Sequence, residues 1–309
     1  MTELSIIMYH YVRPLEASKY PDIKGLDLRR FKRQLDYIEK NYQVVTSGEL
    51  IATTSVEGHE LPKKACLLTF DDGYKDHFDY VLPELLRRGL HGSFFPPVKC
   101  ITERSMLNVN IIHYVLANCN DYDQLVKELE NLCLDSGLDK SDLAIYRRDF
   151  FLPSRFDSAG VAYFKRMLQY VLEENLTQRI LEVLLQKYVK RDSIDIADEL
   201  YMTTEDIKKL LELGMYVGSH TYSHKWLDKI PKSDQEREID LSIEFLKTVG
   251  ASIEDWIMCY PYGSYNSDTM QILVERKCAV GLTTKVGVAD LSLKKFLELQ
   301  RFDTNDFPQ

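Results

Sequence analysis

Thr69-Phe70-Asp71-Asp72-Gly73-Tyr74 follows the apolar run Ala65-Cys66-Leu67-Leu68. The run reads as a buried strand. A glycine directly after two acids suits a tight turn, because only glycine enters positive φ without steric cost. Folding alone gives no reason to set two mutually repelling carboxylates at a strand end. Asp-Gly is also a common solvated turn dipeptide. The stretch therefore has two readings: an ordinary turn, or a site where one carboxylate binds a metal and the other accepts a proton.

Strands alternate with helices on both sides of it. Residues 4–9 read as a first strand, closing on Tyr9-His10-Tyr11. Leu28, Phe31, Leu35 and Ile38 recur at helical spacing, predicting a helix that ends near Asn41. A short strand at 43–45 and a polar loop over 53–64 come next. Past the double Asp, Val81, Leu85 and Leu86 form one helix face that stops at Gly89, and 91–95 is the following strand. Residues 102–198 then show helical periodicity with almost no strand signal. Alternating strands and helices imply a parallel sheet, so the helical block reads as an insertion packed on the sheet domain. The alternation resumes with Thr203 and Asp206 opening a helix that ends at Gly214, and a strand over 215–219. Ser233 with Glu236 predicts a capping box for a helix ending at Gly250. A strand at 256–260, a helix through Met270, Leu273 and Val274, and strands at 279–283 and 297–302 complete the series.

At 309 residues and 45% hydrophobic content, the chain can bury one large α/β core or two smaller ones. A net charge of −9 argues against a nucleic-acid partner, which needs a basic face. No run approaches the ~18 apolar residues of a membrane span. Glu3, His10 and Arg13 interrupt the N-terminal apolar run, so no secretory signal is expected. The cysteines, Cys66, Cys100, Cys119, Cys133, Cys259 and Cys278, include no C-x-x-C pair and sit mostly in apolar runs. A reduced, cytoplasmic protein is the expectation.

His220 and His224 lie just past a strand, in Ser219-His220-Thr221-Tyr222-Ser223-His224. At this spacing two imidazoles project from one side of a helical turn and can share a metal, although two surface histidines would look the same. In a parallel sheet the turns after successive strands emerge at one C-terminal edge. One Asp with two His is a three-ligand set that leaves open positions on a catalytic zinc.

With these residues the chain resembles the polysaccharide deacetylases (carbohydrate esterase family 4, the NodB homology domain). Thr69 to Gly73 and His220 to His224 look like the family's first two motifs, and Tyr260-Pro261-Tyr262-Gly263 resembles the third. The resemblance implies an irregular (β/α) barrel of about seven parallel strands over 1–100 and 200–309, with 101–199 as the helical insertion. It also implies roles. Asp72, His220 and His224 would bind a divalent metal, most readily zinc, with nickel, cobalt or iron(II) accepting the same ligands. Asp71 would be the base for a metal-bound water, and the backbone N–H of Tyr262 would help hold the oxyanion.

Two positions depart from the family pattern. Its third motif usually opens with an arginine that steadies the base, and here that position is Cys259. Arg301 or Asp303, after the last strand, could take over that work. The usual late Leu-x-His motif, source of the general acid, is absent. Tyr9-His10 instead resembles the start of a subgroup that includes the poly-N-acetylglucosamine deacetylases, which makes His10 the expected acid, a task suited to imidazole. Among the other candidates, His77 is expected on a helix surface. Arg147, Arg148 and Arg155 read as solvated charge, and Trp226 as either a sugar-stacking ring or a core aromatic.

The function implied is metal-dependent removal of an N-acetyl group from an amino sugar in a glycan or glycan precursor. A small-amide hydrolase with the same metal site is one rival. A non-catalytic glycan-binding protein on the same fold is the other.

Overall fold

The computed structural model describes residues 3–55 and 59–308. The chain divides into two compact units. One comprises the chain up to Leu15, Gly25–Arg104 and everything from Asp198 on; the other comprises Glu16–Lys24 and Ser105–Ala197.

Seven parallel strands build the first unit: β1 (Glu3–Tyr9), β2 (Ala65–Asp71), β3 (Ser93–Phe95), β4 (Tyr216–Val217), β5 (Trp256–Cys259), β6 (Cys278–Val286) and β7 (Leu299–Asp303). They lie in the order β4-β3-β2-β1-β7-β6-β5. Just past β4, Ser219 bridges Met258 of the other edge strand, β5, and the Cys259 N–H donates to the Ser219 carbonyl at 2.9 Å. The sheet thus curls until its edges meet, giving the irregular barrel. Two short strands sit off this path: Gln43–Val44 runs parallel beside β2, and Ala289–Asp290 antiparallel beside β1.

Side chains alternate between the faces of a strand, and the register shows which set points inward. Leu4, Ile6, Leu67, Phe95, Ile257, Cys259, Val280, Leu282 and Leu299 form one buried cluster. Asp71 shares the parity of Leu67, Cys259 that of Ile257, and Arg301 that of Leu299. The same alternation that fills the interior with aliphatic groups therefore carries an acid, a thiol and a guanidinium to its C-terminal rim.

Several expected helix faces need correction. Residues 53–64 are not all loop: Ser47–Ser55 is a helix, opened by Thr46 and Glu49, which cap each other reciprocally. After β2 the chain makes a π-helical turn, His77–Val81, before the α-helix Leu82–Arg88. The wider turn rotates the face, so Leu82 and Leu85 are buried and Leu86 is exposed. In the helix Ser267–Glu275 the buried pair is Ile272 and Leu273, with Val274 exposed. The Thr203–Asp206 capping box forms. The Ser233–Glu236 box does not, because Pro231 is the N-cap of the helix Lys232–Val249.

The second unit is helical: Asn108–Ala117, Tyr122–Asp135, Lys140–Phe150, Ala159–Arg166, a π-helical turn at Met167–Val171, and Glu174–Tyr188. Its core includes Ile112, Leu129, Tyr163, Phe164, Leu181 and Leu184. Residues 16–24, expected with the barrel, belong here. Tyr20 meets Tyr114 edge-on with centroids 4.6 Å apart, and Lys24 pairs with Asp157 at 2.9 Å.

Candidate metal centre and active site

Three turns at the barrel's C-terminal rim supply the site. In the first, Asp72 stands at φ 72° and Gly73 at φ 66°. A Cβ on Gly73 would lie 2.8 Å from that of Pro96, so glycine is required there by space as well as by conformation. In the second, Thr221 (φ 62°) and His224 (φ 61°) take left-handed conformations; in the third, Tyr262 does (φ 58°). Such backbone is costly for residues other than glycine, and for β-branched Thr221 above all. The surroundings must hold it. The Thr221 hydroxyl accepts the His224 N–H at 3.1 Å, and the buried Glu238 carboxylate accepts both the Ser223 N–H, at 2.7 Å, and the Ser223 hydroxyl.

These turns converge Asp72, His220 and His224, all buried. Asp72 Oδ1 is 3.4 Å from His220 Nε2 and 3.3 Å from His224 Nε2, and the three ligand atoms lie within 4.8 Å of one another. Donors bound tetrahedrally at about 2.1 Å sit about 3.4 Å apart, so the spacing fits one divalent ion. The environment fits as well. Among the described residues Asp72 Oδ1 has no hydrogen-bond donor, an expensive condition for a buried oxygen unless it serves as a ligand. Its other oxygen accepts the Tyr74 hydroxyl at 2.7 Å. His220 Nδ1 donates to the Cys259 carbonyl at 2.7 Å, which leaves Nε2 with its lone pair toward Asp72 in the neutral ring.

Electrostatics give the two adjacent acids different surroundings. Burial pushes Asp71 up, but the Arg301 guanidinium, then His220 and His10, outweigh it and hold the carboxyl below its ordinary value. Burial also opposes ionisation of Asp72, and the two imidazoles beside it pull it well below the carboxylate range. His220 rises well above the usual imidazole value: burial opposes its charge, but Cys259 and the two acids outweigh it. Burial sends His224 down to about 3.

Arg301 Nη1 lies 2.9 Å from Asp71 Oδ2 and 3.1 Å from Oδ1, while its Nε donates to the Thr283 carbonyl at 2.8 Å. The Cys259 thiol donates to Asp71 Oδ2 at 3.3 Å. Asp303 is occupied elsewhere, capping the turn at Thr304–Asp306. Asp71, His220 and Cys259 also cluster closely enough to suggest a metal group. Their polar atoms are already engaged with Arg301 and with each other, so Asp72 and the two histidines are the better set. His10, half-buried just past β1, is near enough for its charge to act on both acids. The Tyr262 ring packs against His224 and stacks on Trp226, with centroids 4.4 Å apart at 8°.

His77 is a correction: it is fully buried, not on a helix surface. Arg147 pairs with Glu130 and Arg148 with Asp149, and Arg155 lies over Phe156, all within the second unit. Tyr74 and Glu238 were not identified from the sequence as supports of the site. Tyr74 stands next to the acid motif, but no local pattern marks Glu238.

A model of the polysaccharide deacetylase family matches residues 161–280, the stretch holding both histidines and Tyr260 to Gly263. YxkH of Bacillus subtilis (strain 168), named for the same family, is 26% identical over 110 residues. Over these stretches the chain is similar to the polysaccharide deacetylases. Its alignment with YxkH covers 34% of this chain and 39% of that relative, so the chain matches about two fifths of the curated protein's length. Solved structures, two of them named as deacetylases, share the fold over nearly the full length. A Streptococcus pyogenes deacetylase, PplD, in complex with acetate superposes with a TM-score of 0.57 at 16% identity, covering 97% of this chain and 92% of that one. IcaB from Ammonifex degensii gives 0.55 at 19%, covering 97% and 91%. The BpsB deacetylase domain from Bordetella bronchiseptica gives 0.57 at 13%, covering 98% and 96%.

Proposed function

We propose that this chain is a polysaccharide deacetylase family member, a metal-dependent hydrolase that removes the N-acetyl group from an amino sugar in a glycan or glycan precursor, releasing acetate and a free amine. The observation that carries this is the opposite facing of two consecutive acids. Asp72 is turned to two histidines and Asp71 to Arg301. Asp72, His220 and His224 would hold a divalent metal, zinc by the donor set, with nickel, cobalt or iron(II) as alternatives. When bound, the metal would polarise the amide carbonyl and make water a competent nucleophile near neutral pH.

The chain's own residues supply the rest. Asp71, kept ionised and aimed by Arg301, accepts a proton from the attacking water. The backbone N–H of Tyr262 stabilises the oxygen of the carbonyl as charge develops. His10 gives a proton to the departing amine. A glycan-binding protein would have no use for a base held ionised beside a ligand set. The six cysteines, all buried and unpaired, support placing the protein in a reducing, cytoplasmic compartment. Among the described residues no helix is long and apolar enough to cross a membrane.

The test is acetate release from a panel of N-acetylated sugars by protein as isolated, chelated and zinc-reloaded, beside Asp71→Asn and Asp72→Asn. Release should vanish with chelator and return with zinc. Asp71→Asn should keep the metal and lose turnover, and Asp72→Asn should lose both. A stoichiometric metal with no release from any sugar would sink the proposal in favour of the small-amide hydrolase or the glycan-binding protein.

A further inference from the structure

The segment after β1 and the turn after β2 are matched residue for residue. The Tyr11 ring stacks on Tyr74, with centroids 4.0 Å apart at 14°. Arg13 Nε meets the Asp76 carboxylate at 2.7 Å, both side chains largely buried, and Asp76 also accepts the Val12 N–H. His77 Nε2 lies 2.8 Å from the His10 carbonyl. The His77 ring sits among Phe70, Tyr74 and Phe94, with centroids 5.5, 5.7 and 6.0 Å away.

His77 is unusual in this setting. It is fully buried, and its Nδ1 has no hydrogen-bond partner among the described residues. A ring in that position is neutral, as burial pushes its pKa down to about 4. It therefore carries one N–H, and the His10 carbonyl requires that hydrogen on Nε2. The aromatic rings could pack against a phenylalanine equally well. What histidine adds is one directed donor, spent on the backbone of the residue assigned as the acid.

We propose that His77, with Asp76, is a positioning residue that fixes the backbone at His10 so that its imidazole is held over the reacting amide. This inference rests on the assignment of His10 as the general acid. The geometry supports it because Asp71 ends β2 and Asp72, Tyr74, Asp76 and His77 follow it directly, His77 opening the π-helical turn. One short segment thus carries the base, one metal ligand and the clamp on the acid. Any shift of that segment moves all three together and preserves their spacing.

The test uses two substrates that differ in their need for an acid. An N-acetylated sugar leaves as an amine, which must be protonated; an activated aryl acetate leaves as a stabilised phenolate, which need not be. His77→Phe, which fills the ring space and removes the donor, should lower kcat on the amide at least tenfold. KM, bound zinc and aryl-acetate turnover should change by less than about threefold. His77→Gln, which places an N–H near the Nε2 position, should recover most of the amide rate. In a His10→Ala background, His77→Phe should have no further effect on the amide. Equal loss on both substrates, or no loss on either, would overturn the inference. If His77→Phe does not fold, Asp76→Asn must show the same split, and its failure to do so is equally decisive. His10→Ala separates the two levels: if it alone loses ester and amide together, the assignment of the acid is wrong and not merely that of its clamp.

Discussion

Arg301 and Asp71 stand 230 positions apart in sequence and 2.9 Å apart in the fold, each side chain 1% exposed. One comes from the last strand of the barrel and the other from the second, and both follow the inward parity of their strands. A buried ion pair gains from mutual attraction but costs desolvation, so its net contribution to stability is small. Removing one partner is a different matter, because the other is left charged and alone in the interior.

Arg301→Met should therefore destabilise the protein by about 3–5 kcal/mol. The loss is measurable by denaturant unfolding. The double variant Arg301→Met with Asp71→Leu should recover much of it, because neither charge remains buried. If the single variant were as stable as the parent, Arg301 would not be the cation on which Asp71 depends.

Cys259 occupies the position where the third motif of the polysaccharide deacetylases, which the chain resembles, usually has an arginine, and its thiol already touches Asp71 Oδ2. The space beside that carboxylate is filled by Arg301. Cys259→Arg should accordingly fail to act as a restoration. It would place a second guanidinium and several extra heavy atoms in a packed interior, costing about 1–3 kcal/mol or more. Cys259→Ser keeps a small donor and should stay within about 1 kcal/mol of the parent. Paired unfolding curves for the two variants check this. A stabilised or more active Cys259→Arg would mean that the arginine's usual place is still open.

The elements that the sequence revealed are those set by local rules. The strand before the double Asp is an apolar run, the turn is marked by its glycine, and Gly89 and Gly250 end their helices at φ 67° and 85°. Where neighbours override the local pattern, the sequence misleads. The π-helical turn at His77–Val81 rotates the following helix, exposing Leu86 and burying His77. Pro231, and not Ser233, takes the N-cap position of its helix. For the site, the chemistry-bearing types stand out as motifs because metal binding and proton transfer need particular atoms. Their supports do not. No periodicity connects Glu238 to Ser223, or His77 to His10; only the folded chain brings them together.

Glu84 provides a pH dependence away from the site. Hydrogen bonds from Arg87, then from Arg88 against the opposing cost of burial, lower its pKa to about 2. A depressed folded-state value means that the contribution to stability is present above the unfolded carboxylate value of about 4.3. It is lost as pH falls toward the folded one. Glu84→Gln should cost about 1–2 kcal/mol at pH 7. Its difference from the parent should shrink steadily between about pH 5 and pH 2. Urea unfolding at several pH values measures this, and a difference that stays constant across that window would show that the carboxylate's charge contributes nothing.

Glu238 holds the loop between the two histidines by accepting from both the backbone and the hydroxyl of Ser223. That loop carries left-handed conformations at Thr221 and His224, so without an anchor it should relax toward ordinary backbone and move one imidazole relative to the other. Glu238→Ala should weaken zinc affinity by about 10–100-fold while leaving the ligands themselves intact. Glu238→Gln should be milder, because its carbonyl can still accept one of the two bonds. Competition for zinc with a chromophoric chelator measures the affinity directly, without reference to turnover. Wild-type affinity in Glu238→Ala would mean that packing alone maintains the strained loop, and that the carboxylate is dispensable to the metal centre.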